Sequence, residues 1–136
     1  MRKMGIDYGE VRIGVAFSDL LGIIATGYET YVRKNIETDL QHFKDLVVSQ
    51  QVDKIIMGLP LNMDGTEGER VEFTYSFCDE LKKYTTLPIV YQDERLTTVS
   101  AEKLLISADV RREKRKKVID EVAASIILQN YLDKKY

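Results

Sequence analysis

Asp7, Glu94 and Asp120 are the residues of this chain best placed to do chemistry. Asp7 closes the stretch Met4-Gly5-Ile6, Glu94 follows Ile89-Val90-Tyr91-Gln92-Asp93, and Asp120 lies in Val118-Ile119-Asp120-Glu121-Val122-Ala123-Ala124. A carboxylate at a strand end near the middle of a sheet is costly unless something cationic meets it. For Asp7 that partner is either an arginine, with Arg12 the nearest candidate, or a metal ion. Three carboxylates converging in a low-dielectric crevice repel one another, each pair at ~4 Å costing on the order of 4 kcal/mol at an effective dielectric of ~20. A divalent cation reverses that balance, and two such ions ~4 Å apart activate water and stabilise the leaving oxygen in phosphodiester hydrolysis. No histidine is needed, and the lone His42 is far in sequence from all three acids. Taken singly, each acid also has a structural use: Asp7 as a turn residue, Glu94 as a partner of Arg95, Asp120 as an N-terminal helix acid.

The elements that must position these acids follow from periodicity. Two apolar runs, the second being Ile13 to Phe17, flank Asp7-Tyr8-Gly9-Glu10 and read as a hairpin with Gly9 at the turn. Ile23 to Val32 reads as a third antiparallel strand. Thr38 to Gln51 carries Leu40, Phe43, Leu46 and Val47 at helical spacing. Asp53 to Leu59 is an almost wholly apolar strand of the kind buried on both faces, ended by Pro60. Thr66 with Glu69 three residues on is a capping-box pattern for a helix to about Tyr84. Pro88 to Gln92 is a further strand, Thr97 or Thr98 caps a short helix through Ile106, and a last helix runs from about Val118 to Leu132. There Asp120 shares a face with Ala123, Ala124, Ile127 and Tyr131, and the paired alanines let the helix approach the sheet. Its place in the first turn favours a negative charge, while Glu121 lies off that face in solvent. The expected fold is α/β: a mixed five-stranded sheet, three antiparallel strands then two parallel, with helices on both faces. In such sheets ligands gather beyond the carboxyl ends of the strands.

Bulk composition narrows the function classes. The 136 residues fit one domain covering the whole chain, with 44% hydrophobic and 31% charged residues, as in ordinary globular proteins. One cysteine, Cys78, rules out an internal disulfide, and one histidine with one cysteine leaves no nitrogen–sulfur zinc site. Any metal must be held by oxygens, which points to Mg²⁺ or Mn²⁺. No apolar run reaches the ~20 residues that span a membrane. The N-terminus shows no signal-peptide pattern, so a cytoplasmic protein without a membrane partner is expected.

Several motifs together resemble the YqgF/RuvX family. They are Gly5-Ile6-Asp7-Tyr8-Gly9 with Arg12-Ile13-Gly14-Val15-Ala16 and Ser18-Asp19; Gly58-Leu59-Pro60 with Asp64-Gly65; Asp93-Glu94-Arg95-Leu96-Thr97-Thr98; and Ile119-Asp120 with Ala123-Ala124 and Ile127-Leu128. The resemblance spans essentially the whole chain in order. It implies an RNase H-like fold similar to RuvC-type Holliday-junction resolvases, and a nuclease that matures the 5′ end of pre-16S ribosomal RNA. It also implies that Asp7, Glu94 and Asp120 take the metal-ligand positions of RNase H-like nucleases.

Cations supply the other half of a nucleic-acid site. Arg111, Arg112, Lys114, Arg115, Lys116 and Lys117 oppose a single acid, Glu113, for a local charge of +5 against a whole-chain net charge of -2. Just before Asp120 they read as a phosphate clamp, or else as a solvated loop. Arg12 and Arg95 each hold a phosphate or neutralise an acid. The Asn62 to Gly68 loop either offers backbone N–H groups to phosphate or is a surface turn. Tyr8 stacks on a base or packs internally, and Cys78 reads as a small buried hydrophobe. Three rivals stay open: a DNA junction resolvase, which needs a two-fold homodimer; a non-catalytic RNA-binding factor; and a nucleotide-binding module, for which the chain is short.

Overall fold

The computed structural model describes residues 1–95 and 97–134, except the side chain of Thr98. The elements run β1 (Arg2–Asp7), β2 (Arg12–Ser18), β3 (Ala25–Val32), α1 (Ile36–Ser49), β4 (Val52–Leu59), α2 (Glu69–Leu81), β5 (Ile89–Asp93), α3 (Thr97–Ser107) and α4 (Arg112–Asp133). The sheet order is β3-β2-β1-β4-β5, antiparallel across β1–β2 and β2–β3 and parallel across β1–β4 and β4–β5. This is the mixed five-stranded sheet expected from the sequence.

Side-chain alternation divides the strands between two layers. Met4, Ile6, Ile13, Val15, Phe17, Ile55 and Met57 pack on one face with Leu40, Phe43 and Leu46 of α1 and Phe77, Cys78 and Leu81 of α2. On the other face Ala16 and Ile56 meet Ala124, Ile127, Leu128 and Leu132 of α4. Small residues floor this second face. A methyl group on Gly14 would lie 1.9 Å from the Asp120 carbonyl oxygen, and one on Gly5 would lie 2.7 Å from Leu128 Cβ. The helix rests directly on the backbone of the sheet, so glycines in the strands matter as much as the alanines of α4.

Several boundaries differ from the periodicity reading. β3 starts at Ala25 because the Asp19 carboxylate accepts from the N–H groups of Ile23 (2.7 Å) and Ile24 (3.1 Å), which holds that stretch in a turn. α1 opens two residues early, with Asn35 accepting from Thr38 N–H at 2.9 Å. The Thr66–Glu69 capping box does not form: Gly68 is the cap, and Asp64 takes both the N–H and the hydroxyl of Thr66. α2 ends at Leu81 instead of Tyr84. α3 opens at Thr97, which is therefore helical and not its cap; the Thr98 side chain lies outside the described residues.

The largest correction concerns α4, which starts at Arg112. Arginine, lysine and glutamate are strong helix formers, and nothing in 112–117 breaks the pattern, so the basic run after Arg111 is helical and not a loop. Asp120 is consequently well inside the helix, and the helix-dipole argument for its charge does not apply.

Gly14→Ala should destabilise the protein by at least about 3 kcal/mol in urea denaturation, because the methyl meets backbone that cannot yield without lifting α4. Gly58→Ala should cost less than Gly14→Ala in the same measurement, about 1–3 kcal/mol, because its methyl meets side-chain atoms of Glu94 and Ile127 and no backbone.

Candidate active site

Asp7 is the last residue of β1 and pairs in register with Gly14. Gly5 faces α4 while Met4 and Ile6 face α1 and α2, so Asp7 points to the α4 side. Glu94 follows β5 and is anchored by its N–H to the Leu59 carbonyl at 3.1 Å, at the end of β4. Its side chain leans back across β4 over Gly58, where a methyl would lie 2.6 Å from Glu94 Oε2. Gly58 stands one residue past the Ile6–Met57 pair of β1 and β4, beside Asp7. The bare glycine is what lets a residue from β5 reach one on β1.

The two carboxyl groups meet there. Burial raises the proton affinity of both. For Glu94 the Asp7 charge and the hydrogen bond between the two carboxyl groups add to that effect, whereas the same hydrogen bond offsets part of the rise in Asp7. Asp120's charge raises Asp7 further, and the Arg70 guanidinium works against the shift in both acids. The pair lines a cleft of about 350 Å³ at the carboxyl ends of β1, β4 and β5, together with the 60–63 segment, Arg70, Arg95 and the start of α3.

Asp120 does not join the pair as a third adjacent acid. Its Oδ2 accepts from Arg12 Nε at 2.9 Å, so Arg12 is the partner of Asp120 and not of Asp7. Among the described residues no three His, Cys, Asp or Glu side chains are gathered as a metal-holding set. Asp7 and Glu94 offer oxygen donors only, which suits a hard divalent cation.

The predicted cations divide. Arg95 pairs with Asp93 (2.7 Å), not Glu94, and also donates to the Met63 carbonyl at 3.1 Å. Arg115 faces Glu102 at 3.3 Å and donates to the Val110 carbonyl at 2.9 Å, so it ties α4 to α3 and is not available as a clamp. Arg111, Arg112, Lys114, Lys116 and Lys117 are exposed. From Asp120 over Gly14, α4 descends past Gly5 to Tyr131, which receives Lys54 Nζ at 3.1 Å near the start of β4. Its first two turns therefore project beyond the end of the sheet at which Asp7 lies.

The remaining candidates resolve as structure. Asn62 N–H donates to Thr66 O, Gly65 N–H to Asn62 O and Thr66 N–H to Asp64, so the loop is a surface turn. Tyr8 packs on Phe77 with ring centroids 4.8 Å apart and accepts from Arg33 at 2.6 Å. Cys78 is buried. His42 pairs with Glu29 and stacks on Tyr31, away from the acids. Glu121 is half-buried over β3, not solvated, and burial raises its pKa.

Arg70 is the residue the sequence reading missed. It is exposed, lines the cleft, and acts electrostatically on both Asp7 and Glu94. A signal existed, since a cation in the first turn of a helix opposes the helix dipole and calls for another reason to be there.

A model of the family RuvX, described as Holliday junction resolvase, matches residues 1–134. The chain belongs to the RuvX family. It is 56% identical over 133 residues to a protein of Halothermothrix orenii, covering 98% of this chain and 95% of that one. It is 51% identical over 140 residues to a protein of Streptococcus thermophilus, covering both chains fully. Both carry the name "Putative pre-16S rRNA nuclease". Among solved structures it is similar to Thermus thermophilus RuvC in complex with a Holliday junction substrate (TM-score 0.64, 10% identity, 99% and 95% of the two chains). It is also similar to the fowlpox virus resolvase in complex with Holliday junction DNA (TM-score 0.62, 10% identity, 98% of each chain). The RNase H-like fold expected of this RuvX chain is the fold it has.

An acid whose pKa is higher folded than unfolded makes the folded state bind more protons, so stability falls as pH rises. The contribution is fully present below the ordinary carboxylate range and is lost as pH rises through the raised values of Asp7 and Glu94. In EDTA, Asp7→Asn should therefore melt ~3–5 °C higher than the wild type at pH 8, with the gap closing at pH 4, by calorimetry. A variant less stable than the wild type at both pH values would contradict the assignment.

Proposed function

We infer that this chain is a single-domain RNase H-like nuclease that hydrolyses phosphodiester bonds, with precursor ribosomal RNA as its substrate. The observation that carries the reading is the Asp7–Glu94 pair at a strand-end cleft, two acids raised by burial, Glu94 further by the Asp7 charge, in a chain of this family. Its relatives' names supply the ribosomal RNA part of the reading.

Asp7 and Glu94 form an oxygen-only donor pair that fits Mg²⁺ or Mn²⁺, and Asp120 would serve as a third ligand only by exchanging its Arg12 partner for the ion. A bound divalent cation lowers the pKa of water and stabilises charge on the leaving oxygen. The chain's own side chains do the rest. Asp7 and Glu94 would hold the ion in place of the proton between them, which would pass to solvent. Arg70 holds a phosphate against the cleft by charge. Arg111, Arg112, Lys114, Lys116 and Lys117 track the backbone beyond the end of the sheet at which Asp7 lies. Arg12 keeps the Asp120 carboxylate directed toward β2.

A second reading, favoured by the description of the matching family, is cleavage of branched DNA by a homodimer. Cleavage of a four-way junction beside a pre-16S fragment, with the mass in solution, separates the two readings.

Metal-dependent cleavage should fall at least about 100-fold in Asp7→Asn and in Glu94→Gln. Asp120→Asn should match them, whereas Arg12→Ala should cost less than about 10-fold. Equal losses in Asp120→Asn and Arg12→Ala would make Asp120 only an arginine partner. Parental rates in a purified Asp7→Asn, Glu94→Gln double variant would remove the catalytic assignment.

A further inference from the structure

A second cleft of about 250 Å³ adjoins the first, and the two share Pro60 and Arg70. It opens on the α2 side of β1, with Tyr8, Gly9 and Glu10 from the first turn and Phe73 from α2 in its walls. The volume is below the ~300 Å³ at which pockets for larger ligands begin, which suits a single planar group. Two aromatic rings line it, and they differ. Tyr8 is committed, stacked on Phe77 and held by Arg33, which is itself fixed by Asp39 at 3.0 Å. Phe73 is 40% exposed and belongs to no aromatic pair among the described residues. One ring is a fixed wall and the other has a free face.

We propose that this cleft is a subsite for one unstacked nucleotide beside the bond that is cut, with the base on Phe73 and its phosphate on Arg70. The proposal rests on the nuclease reading above and specifies its substrate: a single-stranded segment, because a base inside a duplex has no free face to offer. Arg70, shared by both clefts, carries the backbone from one to the other. Glu10 supplies an acceptor suited to an exocyclic amine or a ribose hydroxyl and repels phosphate, which leaves the phosphate to the Arg70 side.

The chain contains no tryptophan, so Phe73→Trp installs a single reporter in the proposed subsite. The probe is a fluorescein-labelled single-stranded RNA of mixed sequence, bound in EDTA so that no cleavage is involved. Phe73→Ala should weaken binding ~5- to 100-fold, the range for losing one base stack. Phe73→Trp should retain affinity, and its fluorescence should be quenched on binding. An abasic scan should find one position whose loss matches that of Phe73→Ala and adds nothing in that variant. A duplex of the same sequence should bind Phe73→Ala and the wild type alike. Unchanged affinity in Phe73→Ala, or an unquenched tryptophan in the complex, overturns the subsite, including the case in which Phe73 serves a protein partner. The two readings fail separately. Loss of cleavage in Asp7→Asn with no Phe73 effect removes only the subsite; a Phe73 effect with cleavage unaltered in Asp7→Asn removes only the catalytic assignment.

Discussion

Two carboxyl groups side by side in a half-buried cleft are unfavourable company. Removing each from water disfavours its charge, and ionising both adds mutual repulsion. Without a cation they share a proton, and the folded chain is less stable at alkaline pH for holding them together. A structure retains such a pair only if packing elsewhere holds it in place, so the stability of this protein is arranged around a local cost.

The packing that does so is the contact between α4 and the sheet. Gly14 and Gly5 let the helix lie on the strands, which sets Asp120 at the height of Asp7. Gly58 leaves the gap through which Glu94 crosses β4. On the opposite face the larger side chains of α1 and α2 supply the bulk of the apolar burial. One layer is built for stability, and the other is thin where the acids meet. Arg12 and Arg70 divide the remaining electrostatic work: one holds Asp120 in place and the other opposes the charge of the pair.

Much of this was readable from the chain. The apolar runs ending at Asp7 and Leu59, and the β-rich run before Glu94, identify strand ends, and helical spacing identifies α1 and the apolar face of α4. What was hidden depends on contacts between distant residues. Arg12 is close to Asp7 in sequence yet pairs across the fold with Asp120, because the hairpin turns its side chain toward α4. The spacing of Thr66 and Glu69 satisfies a capping box, but Asp64 is nearer and takes the same hydroxyl. The basic run suits a solvated loop and a helix equally by charge, and helix propensity decides for the helix. The role of Gly58 depends on a glutamate 36 positions later, which no local pattern reveals.

On the proposed function, the proton shared by Asp7 and Glu94 is exchanged for a divalent cation. Calorimetric titration of Mn²⁺ at neutral pH, in two buffers of different ionisation enthalpy, measures both binding and proton release. Binding should be accompanied by proton release, with both lost in Asp7→Asn and in Glu94→Gln. Mn²⁺ binding of equal strength in the wild type and the double variant, or binding with no proton released, would contradict that exchange.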